Sequence, residues 1–294
     1  MRTIRFNLPA SHELVLPGDL HDGSLFSFED GFLECREYVL SKPNRRMWCM
    51  GDMMEGITID DPRYDIASHQ SLPLQSKDHV SDILRPLSKS KQLLGGVIGN
   101  HEWKLRRFGN LWLSICQELS TENHTVEYGT MSAVLEIYSL SDPPDLMYKL
   151  FVHHGSFLSL RSQAKDFEQQ QGNIRATFKR RMAPLMSDCL VMAAGHTHRL
   201  MIVPPTERLY LYSENEKLRQ GYLTQGNNDR YINPDQRWYV NTGSFYRLYA
   251  DREGHDGIPH SGYAEQRGYE PMEIGFASIV CHDHKLREIK AIKL

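Results

Sequence analysis

Five short apolar runs of this chain each end in a small group of carboxylate, imidazole or amide side chains. One of them, at 95–98, leads into Gly99-Asn100-His101-Glu102. A short apolar run closed by a glycine is typical of a buried strand that reaches the edge of a sheet. Ligands of α/β proteins bind at the carboxyl edge of the sheet. The pattern therefore predicts an α/β fold with a functional site at its strand ends.

The other four runs end in the same way. Apolar strands predicted at 13–16, 47–50, 146–152 and 189–194 lead into Asp19-Leu20-His21, Gly51-Asp52, His153-His154 and Gly195-His196-Thr197-His198. In an extended segment that leaves a strand, the side chains of residues i and i+2 point to the same side. The two side chains of each D-x-H or H-x-H pair are therefore expected to approach one point. A single buried Asp or His is usually a satisfied polar group. Five such strand ends in one chain favour a shared site.

The residue types at these strand ends indicate a metal centre. The candidate side chains are Asp19, His21, Asp52, Asn100, His101, His153 or His154, His196 and His198. Mixed carboxylate, imidazole and amide ligands suit Mn, Fe, Zn, Ni or Co, whereas all-oxygen Mg or Ca sites do not use so many histidines. The number of ligands indicates two divalent ions.

Composition excludes several other classes of protein. Lys plus Arg is 34 and Asp plus Glu is 37, and this net charge of −3 provides no global field for gathering nucleic acid. The five cysteines form no C-x-x-C pair, which argues against a disulfide framework or a thiolate zinc site. The first residues lack a signal-like apolar region, and no run approaches a membrane span. We expect a cytoplasmic protein with no membrane partner and one domain over residues 1–294, of undetermined oligomeric state.

The remaining pattern supplies crossover helices and further strands. Helices are expected at 29–42, around 80–87, and from 103 through Leu119. Further strands are expected at 125–138, 208–212, 237–240 and 274–280. The helical stretch 157–182 carries six lysines and arginines between 161 and 181. Such a run is usually a solvated face, and the alternative is a wall that attracts an anionic substrate.

In this order, the motifs resemble those of the calcineurin-like metallophosphoesterases. That family's signature is D-x-H, G-D-x-x-D/E, G-N-H-D/E, a histidine at a strand end, and G-H-x-H. The matching blocks are Asp19-Leu20-His21, Gly51-Asp52-Met53-Met54-Glu55, Gly99-Asn100-His101-Glu102, His153 and Gly195-His196-Thr197-His198. All five occur in order between roughly residues 12 and 245, which makes the resemblance specific.

The resemblance implies a four-layer α/β/β/α sandwich with a dinuclear metal site at the C-terminal ends of the strands. It places one ion on Asp19, His21 and His198 and the second on Asn100, His153 and His196, with Asp52 bridging them. His101 is then the histidine that contacts a phosphoryl oxygen or protonates the leaving group. His153 is chosen over His154 because it stands closest to the strand and matches the family's position. Candidates for substrate contact are His154, Arg106 and Arg107, and Mn²⁺ is the expected metal.

The activity implied is hydrolysis of a phosphoester by a metal-activated water. Glu55-Gly56-Ile57 stands where the protein Ser/Thr phosphatase branch has Asp-Arg-Gly, and the G-H-x-H ending is that of the phosphodiesterase and nuclease branch. A phosphodiesterase acting on a cyclic nucleotide or nucleic acid is therefore ranked first, and a phosphomonoesterase or protein phosphatase-like hydrolase second. A non-catalytic metal-binding scaffold is the alternative of another class, and the presence of every expected ligand type argues against it.

Overall fold

A computed structural model of the protein describes residues 1–68, 72–222, 230–249 and 252–294. The strands in this part of the chain are β1 Arg2–Leu8, β2 His12–Leu16, β3 Arg45–Cys49, β4 Leu93–Gly96, β5 Glu127–Tyr128, β6 Ser132–Ser139, β7 Leu146–His153, β8 Val191–Ala194, β9 Leu200–Val203, β10 Leu209–Glu214, β11 Lys217–Tyr222, β12 Trp238–Thr242, β13 Gly275–His282 and β14 Lys285–Lys293. The helices are α1 Glu29–Leu40, α2 Pro73–Lys89, α3 Asn100–Lys104, α4 Leu111–Leu119, α5 Phe167–Met182 and α6 Tyr263–Arg267. Short 3₁₀ turns lie at Leu105–Phe108 and Pro234–Gln236.

The strands form two six-stranded mixed sheets and one separate hairpin. Sheet I has the order β1-β6-β7-β8-β12-β9, and sheet II has the order β14-β13-β2-β3-β4-β5. In sheet II the four strands from β2 to β5 are parallel, and β13 pairs antiparallel with β2. In sheet I the β7, β8 and β12 strands run parallel. The third unit is the antiparallel hairpin of β10 and β11.

The two large sheets share one apolar core. Leu150, Val152 and Val191 of sheet I belong to the same buried cluster as Leu14 and Trp48 of sheet II. Burial of apolar side chains makes the main favourable contribution to the free energy of folding, roughly 25 cal/mol for each Å² of apolar surface removed from water. The expectation of a mixed α/β architecture is therefore confirmed at the level of two sheets with helices.

Helices cover the faces that the sheets turn away from each other. Residues of α1, α2 and α4, among them Phe32, Leu84 and Ile115, pack in one cluster with sheet II. On sheet I, Ile174 and Phe178 of α5 pack in a separate cluster that also holds residues of the strands. None of the helices in the described ranges is both long enough and apolar enough to cross a membrane.

Candidate metal centre

The loops that follow β2, β3, β4, β7 and β8 bring their side chains together in one cluster. Within sheet II, the amide of Asp19 donates to the carbonyl of Gly51 over 2.9 Å, and that of His21 to Asp52 over 2.9 Å. Within sheet I, the amide of Gly195 donates to the carbonyl of His154 over 2.9 Å. These bonds continue the strand pairing beyond the strand ends, so the loops carry their side chains into one fixed cluster.

The residues that carry these side chains adopt an unusual backbone conformation. Five of them have left-handed φ values between 48° and 68°, namely Asp19, His21, Asp52, His196 and His198. Asp and His enter this region more readily than most residues, but it remains uncommon outside glycine. Strained conformations of this kind cluster at functional sites, where the surrounding structure holds them in place.

The first group of possible metal ligands consists of Asp19, His21 and His198. Each offers one ligand atom, and these atoms lie within 4.8 Å of one another. The two imidazole Nε2 atoms of His21 and His198 are 3.3 Å apart. Asp19 Oδ1 lies 3.5 Å from Nε2 of His198 and 3.9 Å from that of His21. The spacing of D-x-H and the second histidine of G-H-x-H therefore directs three donor atoms to one point.

An oxygen of Asp19 gives an independent sign that a ligand belongs here. The side chain is fully buried, and its Oδ2 accepts a hydrogen bond from the amide of His196 over 3.0 Å. Its Oδ1 accepts no hydrogen bond from any part of the chain that the structure describes. Because a buried carboxylate oxygen without a partner is costly, a cation in the first group would satisfy it.

The second group consists of Asp52, His154 and His196, again with ligand atoms within 4.8 Å of one another. The ring of His154 is completely buried, and its Nδ1 donates to the carbonyl of Met50 over 3.0 Å. Its Nε2 then faces two oxygens, Oδ1 of Asn100 at 3.0 Å and Oδ2 of Asp52 at 3.1 Å. A backbone carbonyl that fixes the other ring nitrogen in this way is typical of metal-bound histidines.

Electrostatics favour positive charge at the second group. Burial alone would lower the pKa of His154, but the Asp52 carboxylate beside it outweighs burial and raises the pKa to about 10. Burial alone would raise the pKa of Asp52, but His154 and His101 hold it well below its usual range. Two buried acceptors around an imidazole nitrogen thus require a cation, either a proton or a metal ion. This donor set fits a transition metal.

Asp52 lies between the two groups. Its Oδ1 accepts a hydrogen bond from the amide of His101 over 2.8 Å. Its Oδ2 is 3.1 Å from Nε2 of His154 in the second group and 4.0 Å from Nε2 of His21 in the first. One carboxylate oxygen therefore faces both groups, as a bridging ligand must.

His153 was predicted as the strand-end ligand, and the structure places His154 there instead. His153 is the last residue of β7, and strand alternation puts it on the same face as Phe151, which packs towards α5. Its Nδ1 accepts from the amide of Gly155 over 2.8 Å, and its ring packs on Phe157 at 4.8 Å. His154 follows the strand and turns into the cluster, so the structure brings His154 rather than His153 together with Asp52 and His196.

His101 and Glu55 lie beside the first group. The ring of His101 packs edge-on against that of His21 at 4.7 Å, and its Nδ1 donates to the backbone carbonyl of Glu55. The Glu55 carboxylate accepts from Nδ1 of His21 over 2.8 Å, which leaves Nε2 of His21 for the cluster. Burial lowers the pKa of His101 to about 4. Glu55 belongs to the G-D-x-x-D/E block, but nothing in the sequence indicated that it orients His21.

Glu102 ties the strand-end loops together. Its buried carboxylate accepts hydrogen bonds from the amides of Asp52 (3.0 Å), Met54 (3.0 Å) and Gly99 (2.7 Å). The loops are so close that a Cβ atom on Gly99 would lie 1.9 Å from Oδ1 of Asp52. Only glycine fits at this position, which explains the glycine in the Gly99-Asn100-His101-Glu102 block.

Two further residues near the cluster were not among the candidate site residues. The ring of Tyr246 lies 4.9 Å from that of His21 and 5.5 Å from that of His198. It follows β12, whose polar end was visible as Asn241-Thr242-Gly243-Ser244. Burial and the nearby Arg63 lower the pKa of Lys104, and the carboxylates of Asp61, Asp52 and Glu55 oppose this shift. In the sequence, the only indication of Lys104 was its position three residues after His101.

The predicted substrate-contact arginines lie on the exposed surface beyond α3. Arg106 is over the ring of Trp103, while Arg107 bonds to Asp60 and Thr58. On α5, Lys179 pairs with Asp235 over 2.6 Å, and the apolar face of the helix packs on sheet I. Arg175, Arg180 and Arg181 of this helix are exposed, in agreement with the solvated-face interpretation, whereas Lys179 is half-buried.

Comparison with known proteins does not assign a family. No family model matches the chain, and no curated protein matches it. The chain is similar to the crystal structure of Vps29 from Chaetomium thermophilum, with 11% sequence identity and a TM-score of 0.33. That alignment covers 96% of this chain and 97% of Vps29. A likeness of this strength carries no functional conclusion, which rests instead on the residues of the cluster.

Proposed function

We propose that the protein is a metal-dependent phosphoester hydrolase of the calcineurin-like metallophosphoesterase type, with a dinuclear centre at the strand ends of a four-layer α/β/β/α domain. One observation carries the proposal: two three-residue donor groups lie side by side, and a single oxygen of Asp52 faces both. The ordered sequence motifs support the same conclusion. The shared core of the two sheets supports one domain over residues 1–294.

In this proposal each donor group holds one divalent ion. Asp19, His21 and His198 would hold the first ion, Asn100, His154 and His196 would hold the second, and Asp52 would contribute to both. The mixture of imidazole, carboxylate and amide favours Mn²⁺ or another first-row transition metal over Mg²⁺. When bound, such a pair of ions acidifies a water and neutralises charge on the phosphoryl oxygens.

The chain's own residues orient the ligands and handle the proton. Glu55 and the Met50 carbonyl fix the rings of His21 and His154, so that each Nε2 faces the cluster. His101 donates through Nδ1 to the Glu55 carbonyl, which leaves Nε2 as the atom that can carry a proton to the leaving group. A bound phosphoester adds negative charge beside this ring and favours its protonated form.

The preferred substrate class is a phosphodiester. Two sequence features support it: the chain has Glu55-Gly56-Ile57 in place of the phosphatase Asp-Arg-Gly, and it ends its last block with His196-Thr197-His198. Both resemble the phosphodiesterase and nuclease branch of the family.

Parallel hydrolysis assays on bis(p-nitrophenyl) phosphate and p-nitrophenyl phosphate, each with Mn²⁺ and with chelator, test this function. We expect metal-dependent release that is faster from the diester. Faster release from the monoester would overturn the diester assignment and leave a phosphomonoesterase. Absence of release from both substrates, with no metal retained after purification, would overturn the hydrolase and favour a non-catalytic scaffold.

A further inference from the structure

Exposed aromatic and cationic side chains follow the candidate ligand Asn100 along α3 and the 3₁₀ turn after it. We call Trp103, Arg106, Arg107 and Phe108 the aromatic strip. The side chains of Trp103 and Phe108 are 51% and 50% exposed. Large aromatic side chains gain by burial, so two of them half in solvent next to a catalytic cluster indicate a surface that a ligand covers.

The helix α3 places the strip next to the metal ligands. Asn100, the first residue of α3, faces His154 in the second group, and Trp103 stands three residues later in the same helix. Residues at i and i+3 share a helix face and differ by only about 4.5 Å along the axis. Trp103 therefore lies about one helical turn from the candidate ligand Asn100, on the same face of α3.

Cations accompany both rings. The guanidinium of Arg106 lies 4.6 Å from the centre of the Trp103 ring, and that of Arg107 lies 4.9 Å from the centre of Phe108. Arg107 also pairs with Asp60, so its charge is partly balanced. Lys104, the last residue of α3, is a further exposed cation beside Trp103 in the chain. Aromatic faces for bases beside cations for phosphates are the combination by which proteins hold single-stranded nucleic acid.

We propose that the aromatic strip binds single-stranded nucleic acid, with the base next to the scissile phosphodiester stacked on Trp103 and the following phosphates beside Arg106 and Arg107. The inference rests on the proposed phosphodiesterase function and narrows its substrate class. In a duplex each base is already stacked on its neighbours, so only an unpaired strand can offer a free base face to the indole.

The test compares two probes that carry the same phosphates. One is a fluorescent oligothymidylate of about 12 nucleotides, and the other is an abasic strand of equal length. Binding is measured by anisotropy on the full chain with Mn²⁺, in a His101→Ala background so that the strands stay intact. Trp103→Ala is expected to raise the Kd for oligothymidylate by roughly 5- to 100-fold while leaving the Kd for the abasic strand within about twofold.

Matched variants separate stacking from other roles. Trp103→Phe should retain most of the affinity for oligothymidylate, and Phe167→Ala, which removes an aromatic ring that is 69% exposed at the start of α5, should change neither Kd. Equal losses for both probes in Trp103→Ala, or a Trp103→Phe variant as weak as Trp103→Ala, would overturn base stacking. Equal affinity for a matching duplex would overturn the single-strand assignment.

The outcome is separable from that of the proposed function. The protein could bind oligothymidylate through Trp103 and yet fail to hydrolyse bis(p-nitrophenyl) phosphate. That result would refute the proposed hydrolase activity but not nucleic-acid binding by the aromatic strip. If the protein hydrolyses the diester but Trp103→Ala does not change the Kd for oligothymidylate, the role of the aromatic strip is refuted and the hydrolase is not. A protein partner would then remain as the occupant of the strip.

Discussion

For individual residues, the chemistry of the cluster depends on which atom of each side chain is left free. His21 and His154 each use Nδ1 for an internal hydrogen bond, to Glu55 and to the Met50 carbonyl, and both turn Nε2 into the cluster. Asp19 likewise uses one oxygen for the His196 amide and leaves the other without a donor among the described residues. The free atoms are therefore selected by hydrogen bonds outside the cluster.

The two adjacent histidines at the end of β7 provide a matched pair of variants. His154→Ala is expected to lower the metal content of the purified protein from two ions to one, and to weaken metal binding by more than the roughly 10- to 100-fold that loss of an outer hydrogen-bond partner costs. His153→Ala should retain both ions, because its ring packs on Phe157 outside the cluster. Elemental analysis of both variants checks this. A loss of metal only in His153→Ala would restore the assignment made from sequence.

His101 and Asp52 should differ in what they contribute. His101→Ala is expected to keep both ions and to lose roughly 10²- to 10⁴-fold in kcat, because in the proposed mechanism its ring carries a proton and does not hold a metal. Asp52→Ala should lose both metal and turnover, since its Oδ2 faces both donor groups. Metal analysis and diester kinetics on the same preparations distinguish the two. Full activity of His101→Ala on a diester with a poor leaving group would contradict its role.

The positions of the site residues could be predicted from the sequence, but their orientations could not. Strand ends with Asp, His and Asn place side chains at one edge of a sheet, whatever the details of packing. The choice between His153 and His154 depends on the last residue that stays in the β7 pairing, and strand ends are uncertain by a residue or two. Strand alternation was an available indication, because it places His153 on the same face of β7 as the apolar Phe151. Glu55 and Tyr246 reach the cluster through loop geometry, which leaves no periodic pattern.

At the scale of elements, the loops after β3 and β4 are held by one carboxylate. Glu102→Ala would leave the amides of Asp52, Met54 and Gly99 without this acceptor, and we expect it to lower the free energy of unfolding by about 3 kcal/mol or more. Urea unfolding in chelator measures the effect without a contribution from metal binding. The control is Glu122→Ala on the exposed turn before β5, expected to change stability by no more than about 0.5 kcal/mol. Equal effects of both substitutions would contradict the role of Glu102.

Several elements differ from their predicted form for local reasons. The helix expected from 103 to Leu119 is divided, because Gly109 has a φ of 103° and the Asn110 side chain caps α4 by accepting from the Leu113 amide. The helix expected from 157 begins only at Phe167, where Asp166 accepts from the Gln169 amide. Strands β1, β9, β11 and β14 were not predicted. Of these, β1 shows an alternation of Ile4 and Leu8 with polar residues that was present in the sequence.

At the scale of the whole molecule, the candidate centre draws on both sheets. Asp19, Asp52 and Asn100 follow strands of sheet II, whereas His154, His196 and His198 follow strands of sheet I. Sequence patterns identify each strand end separately, but no pattern within one strand states which sheet it joins. The pairing of β12 with both β8 and β9, and of β13 with β2, is decided by contacts between distant segments.

A buried histidine between the sheets links stability to pH. His12 of sheet II donates through Nδ1 to the Pro9 carbonyl and accepts through Nε2 from the Tyr148 hydroxyl of sheet I, each over 2.8 Å. Burial, with the nearby Arg46, lowers its pKa below the ordinary value of 6.5. The unfolded chain therefore binds more protons than the folded one as pH falls below about 6.5, so the stability from this residue is complete above that pH and declines below it.

We expect this site to contribute a decline of up to about 1.4 kcal/mol for each pH unit below 6.5, until the folded-state pKa is reached. His12→Gln should be less stable than the wild type at about pH 8 but should show a shallower decline towards about pH 5. Urea unfolding across this range, in chelator, provides the measurement. Parallel curves for the two proteins would show that His12 does not titrate on unfolding.

The left-handed backbone at the site residues has a consequence for engineering. Each of these conformations costs about 1 kcal/mol or more for a residue with a Cβ, and glycine adopts them without that cost. In the metal-free chain only the surrounding hydrogen bonds hold these conformations, and ions bound at the two groups would add to that hold. A screen for thermostability on metal-free protein would therefore favour glycine at a partly exposed position such as His198, where little packing is lost, and such a variant would lack a proposed metal ligand.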